Sequence, residues 1–140
     1  MTTPAKGRAV RFDIPLVPPS LNELKKGMTS QVRNGKYKRI REAWEWALAY
    51  GIEREQAAQM KEWALSKVPV TVDVTIVSGR RNEMDEDNTY GGFKPCLDAM
   101  KRCGYLWDDS RKWVTVRFEQ VYAKDPRTHR TVFAVEPRAA

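Results

Sequence analysis

Residues 68–77 read Val68-Pro69-Val70-Thr71-Val72-Asp73-Val74-Thr75-Ile76-Val77, and no other run constrains the chain as much. Val70, Val72, Val74 and Ile76 fall on one side of an extended backbone, and Thr71, Asp73 and Thr75 fall on the other. A strand with one apolar face must bury that face against another layer. The flanking sequence supplies candidates. Tyr37, Ile40, Trp44, Ala47 and Leu48 form a stripe of helical period over residues 37–50. Ala57, Met60, Trp63 and Ala64 form a second over residues 53–66, separated from the first by Gly51 and stopped by Pro69. A third helix is expected over residues 93–103, with Phe93, Cys96, Leu97, Met100 and Cys103 as its apolar stripe. Pro95 then belongs to its first turn, Gly91-Gly92 is loose backbone leading in, and Gly104 ends it.

Three further strands are expected. Val10 to Pro15 alternates apolar and polar residues, as does Trp113 to Tyr122, and Thr131 to Val135 returns after the turn Asp125-Pro126-Arg127. The last two read as an antiparallel hairpin with a wide loop. Val17-Pro18-Pro19-Ser20-Leu21-Asn22 is excluded from helix and central strand by its two prolines. Residues 23–36 hold Gly27, Asn34 and Gly35 without an apolar period, and read as a mobile basic loop. The whole predicts one α+β domain over residues 1–140: two layers, a small mixed sheet of about four strands, and helices mainly on one face.

Composition narrows the function classes. With 41% hydrophobic and 31% charged residues the chain is neither disordered nor built for a bilayer. No apolar run approaches the ~20 residues of a membrane span, and Met1 to Lys6 lacks the apolar segment of a signal peptide. Cys96 and Cys103 match neither a zinc spacing nor a disulfide scaffold. A cytoplasmic location is the expectation. Lys and Arg number 25 against 18 Asp and Glu, and the distribution matters more than the excess. Lys25, Lys26, Arg33, Lys36, Lys38, Arg39 and Arg41 form a run with no acidic residue; Glu83, Asp85, Glu86, Asp87, Asp98, Asp108 and Asp109 cluster later. A basic arm beside an acidic cluster suits a protein that grips a polyanion and also holds a cation. A solvated basic loop and ordinary helix caps would leave the same pattern.

The acidic residues carry the candidate chemistry. In an extended segment Asp85 and Asp87 would point the same way, just beyond the end of the strongest strand. Two close carboxylates favour a hard divalent cation, magnesium above all. The competing reading is an Asx-type turn in which Asp87 or Asn88 caps the next helix. An EF-hand beginning at Asp85 fails, because its glycine and glutamate positions hold Tyr90 and Cys96. Asp108-Asp109 follows the third helix, and a chain returning along that helix could bring Asp109 beside Asp85 and Asp87. Three such carboxylates suit in-line attack on a phosphodiester. Lys94, on the polar face of the intervening helix, is placed either to contact a phosphate or to pair with Asp98.

Pro18-Pro19-Ser20-Leu21-Asn22 is similar to the Pro-Pro-Ser-x-Asn opening of RusA-like Holliday junction resolvases. Arg80-Arg81, Asp85-x-Asp87-Asn88, Lys94, Leu97-Asp98, Gly104 and Asp108-Asp109 resemble that family's signature in order and spacing, across roughly residues 15–118. Five residues separate Asn88 from Lys94, where the short form of the family has two. The resemblance implies a crossover junction endodeoxyribonuclease of phage or prophage type, acting in DNA recombination and repair. Such an enzyme depends on Mg2+, with Mn2+ as a substitute, and uses no organic cofactor. It implies a homodimer on branched DNA, working in the bacterial host cytoplasm or on its nucleoid, and making paired symmetric nicks with 5′-phosphate and 3′-hydroxyl ends. Asp85, Asp87 and Asp109 carry over as catalytic metal ligands and Lys94 as the catalytic lysine. Asn88, Asp98 and Asp108 carry over as supporting residues. Lys25, Lys26, Lys36, Lys38, Arg39, Arg80 and Arg81 are the candidate DNA contacts.

Two other readings compete: a branched-DNA-binding protein with a weak or inactive site, and a nucleotidyl or glycosyl transferase using Asp85-x-Asp87. The second lacks a Gly-rich phosphate loop. Trp44 and Trp63 are expected in the core, Trp46 at a dimer face or partly exposed, and Trp107 packed under the site. His129 is expected to be solvated in a turn and not a catalytic base.

Overall fold

The computed structural model describes residues 9–25 and 30–138, with side chains in the second segment from residue 34 onward. The elements run β1 (Val10–Ile14), α1 (Leu21–Lys25), α2 (Ser30–Tyr50), α3 (Arg54–Leu65), β2 (Val70–Ser78), α4 (Glu86–Arg102), β3 (Val114–Tyr122) and β4 (Arg130–Pro137). The four strands make one mixed sheet in the order β1-β4-β2-β3, and the fold is α+β with the helices over one sheet face.

The alternation in β2 decides the layering. Val70, Val72, Val74 and Ile76 are all buried, and their in-register neighbours Val114, Val116 and Phe118 of β3 share that face. Thr131, Phe133 and Val135 of β4 and Val10, Phe12 and Ile14 of β1 complete it. Phe133 is the centre: Phe12 stacks on it at 4.8 Å, and Trp44 of α2 and Phe93 of α4 approach at 6.2 and 6.1 Å. Trp63 and Met60 bring α3 into the same core, as their spacing predicted. Each such large apolar side chain contributes about 1.5–3 kcal/mol on burial.

The expected hairpin between the last two strands is not formed. β4 pairs antiparallel with β1 and β2, whereas β3 pairs parallel with β2. The connection over residues 123–129 therefore crosses the end of β2. There the Ala123 N–H donates to Ser78 O in a main-chain bond, and the His129 ring Nε2 bonds Ala123 O, at 2.8 Å each. The half-buried His129 is thus a bracket in this crossing, not a free solvated ring. β2, whose apolar face runs unbroken from Val70 to Ile76, takes the central place that a hairpin would have denied it. A parallel pair needs a crossover, and α4 supplies it.

Three other boundaries differ from expectation. Leu21 and Asn22 are helical. Ser20 caps α1 in a reciprocal box: Glu23 N–H donates to Ser20 Oγ at 3.0 Å and Ser20 N–H to Glu23 Oε1 at 2.8 Å. Residues 30–36 are helix as well, not loop; only 26–29 of the expected basic loop lie outside the described residues. Gln, Arg and Lys propagate a helix well, so the helix carrying the stripe from Tyr37 extends upstream through them, and Gly35 costs only about 1 kcal/mol.

The largest difference is α4, which begins at Glu86 and carries Pro95 in its interior. Gly91 and Gly92 are helical, and their role is close approach. A Cβ on Gly92 would sit 1.7 Å from the Pro19 carbonyl oxygen, so the Pro18–Leu21 segment lies directly on the helix backbone. Gly104, at φ 84°, ends α4 as expected.

Candidate active site

The end of β2 leads into Asp85, and the local chemistry there turns the chain into a helix at once. Asp85 is the N-cap, its carboxylate accepting the Asn88 N–H at 2.8 Å. Thr89 Oγ1 donates to the Asp85 carbonyl, also at 2.8 Å. Asp85 and Asp87 therefore do not alternate along an extended strand; Asp85 caps, and Asp87 stands in the exposed first turn. The Asx-type alternative was right in kind, with Asp85 as the capping residue.

Two neighbours hold this turn. Asn88 Oδ1 accepts the Asn22 N–H at 3.0 Å, tying the turn to α1. On the other side the Gln120 carboxamide of β3 accepts the Met84 N–H and donates to the Met84 carbonyl, both at 3.0 Å. Glu23, at the α1 side, accepts from Arg80 Nη2 at 2.9 Å, and the same nitrogen donates to Pro18 O at 3.2 Å. The Ser20 N–H and the Arg80 guanidinium hold the Glu23 carboxyl below its ordinary range. Arg80 Nη1 is buried with no hydrogen-bond partner among the described residues.

Along α4 the positions advance about 100° and 1.5 Å per residue. Asp87, Lys94, Asp98 and Lys101 therefore share one stripe about 60° wide, and each of them is exposed or half-exposed. The longer spacing before Lys94 is absorbed as helix. Three added residues are close to one turn, so Lys94 remains on the face of Asp87.

Near the C-terminal half of α4 a second group forms. Lys101 Nζ pairs with Asp108 at 3.2 Å. This bond raises the Lys101 ammonium, with Asp109 and Asp98 adding to it, and lowers the Asp108 carboxyl. Tyr37 of α2 also faces this group: burial first, then the Asp98 carboxylate and more weakly Asp109, push its hydroxyl up. The candidate residues thus stand in two places. Asp85, Asp87 and Asn88 lie at the start of α4; Asp98, Asp108 and Asp109 lie about its far half; Lys94 is between. As placed in one chain, no three His, Cys, Asp or Glu side chains among the described residues form a metal-holding group. The donor chemistry itself, carboxylate oxygen throughout, is the kind magnesium takes.

The basic candidates divide. Lys38 and Arg39 are exposed on α2, and Lys25 is exposed at the end of α1. Arg81 is exposed with its guanidinium 5.4 Å from the Tyr122 ring. Lys36 donates to Glu23 O at 2.8 Å, so its head, like that of Arg80, is already engaged. Lys26 lies outside the described residues. Trp107 is not packed beneath the acidic pair: it is 45% exposed, with Lys67 Nζ 4.7 Å from its ring. Trp46 is exposed against Tyr50, at 4.8 Å. Cys96 is buried and Cys103 half-buried, both free.

Sequence reasoning missed Glu23, Tyr37 and Gln120. Gln120 had a signal: it is polar at a position where the β3 alternation calls for an apolar side chain. Among the described residues no helix is long and apolar enough to cross a membrane. No known family model matches the chain, and no curated protein is significantly similar to it.

Proposed function

We propose that the protein is a magnesium-dependent endonuclease that resolves four-way DNA junctions, working as a homodimer in the cytoplasm of a bacterial host. The observation that carries this reading is the exposed stripe of α4, where Asp87, Lys94 and Asp98 share one face, with Asp85 capping the same helix and Asp98 and Asp109 both acting on Lys101. The motif resemblance supplies the reaction class.

Asp85, Asp87 and Asp109 would hold the ion. When bound, magnesium supplies an acidified water for in-line attack and neutralises charge on the phosphate. Lys94 stabilises the extra negative charge of the transition state. Asn88 holds the Asp85 carboxylate through its main-chain N–H, so that carboxylate cannot swing away from the turn. Lys25, Lys26, Lys38, Arg39 and Arg81 contact phosphates and set register on the DNA.

A second copy accounts for the separation of the acidic groups. Turned about a twofold axis near Lys94, it would set its Lys101 by Asp87 and carry its Asp109 toward Asp85 and Asp87. Each site then takes carboxylates from both copies, and a C2 dimer presents two such sites to opposed strands of a junction.

The test is strand cleavage of a mobile synthetic four-way junction against linear duplex, with and without magnesium. Paired, ligatable nicks confined to the junction support the reading. Junction binding without nicking in any divalent metal would make the protein a branched-DNA-binding module instead.

A further inference from the structure

β3 places an amide where its pattern calls for a hydrocarbon. Val114, Val116 and Phe118 face the helices, and Gln120 continues that alternation opposite Ile76, itself 1% exposed. Gln120 is half-buried. Both ends of its carboxamide are engaged. Oε1 accepts the Met84 N–H at 3.0 Å, Nε2 donates to Met84 O at 3.0 Å, and Nε2 reaches Thr89 Oγ1 at 3.4 Å.

A primary amide is the side-chain group that copies a peptide unit, presenting a donor and an acceptor in one plane. Gln120 therefore pairs with Met84 as a neighbouring strand would, although Met84 lies beyond the end of β2. Met84 directly precedes Asp85, and Thr89 directly follows Asn88. The Thr89 hydroxyl in turn donates to the Asp85 carbonyl. One side chain thus grips both flanks of the four residues that carry Asp85 and Asp87. On the other side the turn is tied to α1 by the Asn22 N–H on Asn88 Oδ1 at 3.0 Å, and Asp85, Glu86 and Asp87 themselves are exposed.

We infer that Gln120 is a positioning residue: it fixes the backbone at Met84 and Thr89 so that the Asp85 and Asp87 carboxylates are presented in one arrangement to a divalent cation. The inference rests on the nuclease reading for the identity of the ligand, and on the structure alone for the clamp. Gln120 touches neither substrate nor ion. Losing it weakens cation affinity, and junction binding through the basic residues persists.

Two variants test this. Gln120→Met keeps the length and removes all three hydrogen bonds. Gln120→Glu keeps the acceptor for Met84 N–H and removes the donor to Met84 O. Amide hydrogen exchange on the protein alone is the first readout. In Gln120→Met the Met84 and Asn88 amides exchange about fivefold or more faster, while Val74 and Phe133 are unchanged. The second readout is the magnesium concentration for half-maximal junction nicking, set against the junction Kd without divalent metal. The magnesium requirement rises about tenfold in Gln120→Met and less in Gln120→Glu, and the Kd moves less than twofold. Unchanged exchange at Met84, or a normal magnesium requirement in a variant that has only lost thermal stability, overturns the inference. A wild-type protein that binds junctions and cuts none in any divalent metal overturns the nuclease reading, and the exchange measurement still decides whether the clamp exists.

Discussion

The Asp85 carboxylate accepts the Asn88 N–H at 2.8 Å, so one side chain both caps α4 and stands among the proposed metal ligands. These roles separate by substitution. Asparagine caps a helix as well as aspartate does, whereas alanine removes the cap at a cost of about 1 kcal/mol. Asp85→Asn is expected to keep wild-type stability within a few tenths of a kcal/mol and to abolish cleavage. Asp85→Ala loses both. Urea midpoints beside nicking rates check the split; an Asp85→Asn protein that cuts at the wild-type rate would remove Asp85 from the chemistry.

Gly92 meets the Pro19 carbonyl so closely that its side chain cannot grow. Elsewhere in a helix, Gly→Ala gains up to about 1 kcal/mol. Here the added Cβ would sit 1.7 Å from backbone oxygen, and the Pro18–Leu21 segment must lift. Gly92→Ala is expected to destabilise by about 3 kcal/mol, measured by denaturant unfolding. Gly91→Ala, whose Cβ meets only the Leu21 side chain at 2.8 Å, costs less.

Much of this architecture was legible beforehand. The period-2 run at Val70–Ile76 and the helical stripes through Trp44 and Trp63 located the core, because periodicity records which face is buried. The start of α4 was not legible. Gly91, Gly92 and Pro95 read as breakers, and Gly92 is there for a backbone contact with Pro19, more than 70 positions away in sequence, with Gly91 against the Leu21 side chain. The hairpin misled for a similar reason: strand adjacency depends on which strand can be buried on both edges, and β2 outcompetes β3 for that place. The candidate site residues stand out in the sequence by their chemistry, as an acidic motif. Their division between the two ends of one helix was not, because it depends on where that helix begins.

Acid should act through Glu23. Its carboxyl lies below the ordinary range, held by the Ser20 N–H and by Arg80. A depressed carboxyl adds stability that is fully present above its unfolded value and is lost as pH falls through the folded one. The loss is expected below about pH 4.3, the ordinary glutamate value. Because Glu23 is more than half exposed, the contribution is below about 1 kcal/mol. Glu23→Gln should flatten the acid limb of stability against pH; identical acid limbs for the two proteins would show that the box and ion pair contribute nothing.

Lys94 stands between the acidic groups on the exposed stripe, with no ion pair among the described residues. Lys94→Met is expected to lower kcat by about 10²–10³, the usual cost of removing a charge-stabilising donor, with junction affinity changed less than about threefold. A loss of affinity with kcat intact would make it an ordinary phosphate contact.

Sites built from two copies predict complementation. Asp87→Asn and Asp109→Asn proteins are each expected to be inactive. In a mixed dimer one site holds both substitutions and the other holds neither, so mixing should restore nicking of a single strand. A mixture as inactive as its components would place the three carboxylates within one chain.

The most direct measurement is the nicking rate of a four-way junction in magnesium by wild-type and Asp87→Asn proteins at matched, saturating protein. Asp87 is exposed, so its substitution leaves the fold intact. A wild-type rate that requires magnesium and falls about a thousandfold or more in Asp87→Asn, with junction binding retained, is the predicted result. Equal rates for the two proteins, or no cleavage by the wild type in any divalent metal, would contradict the account.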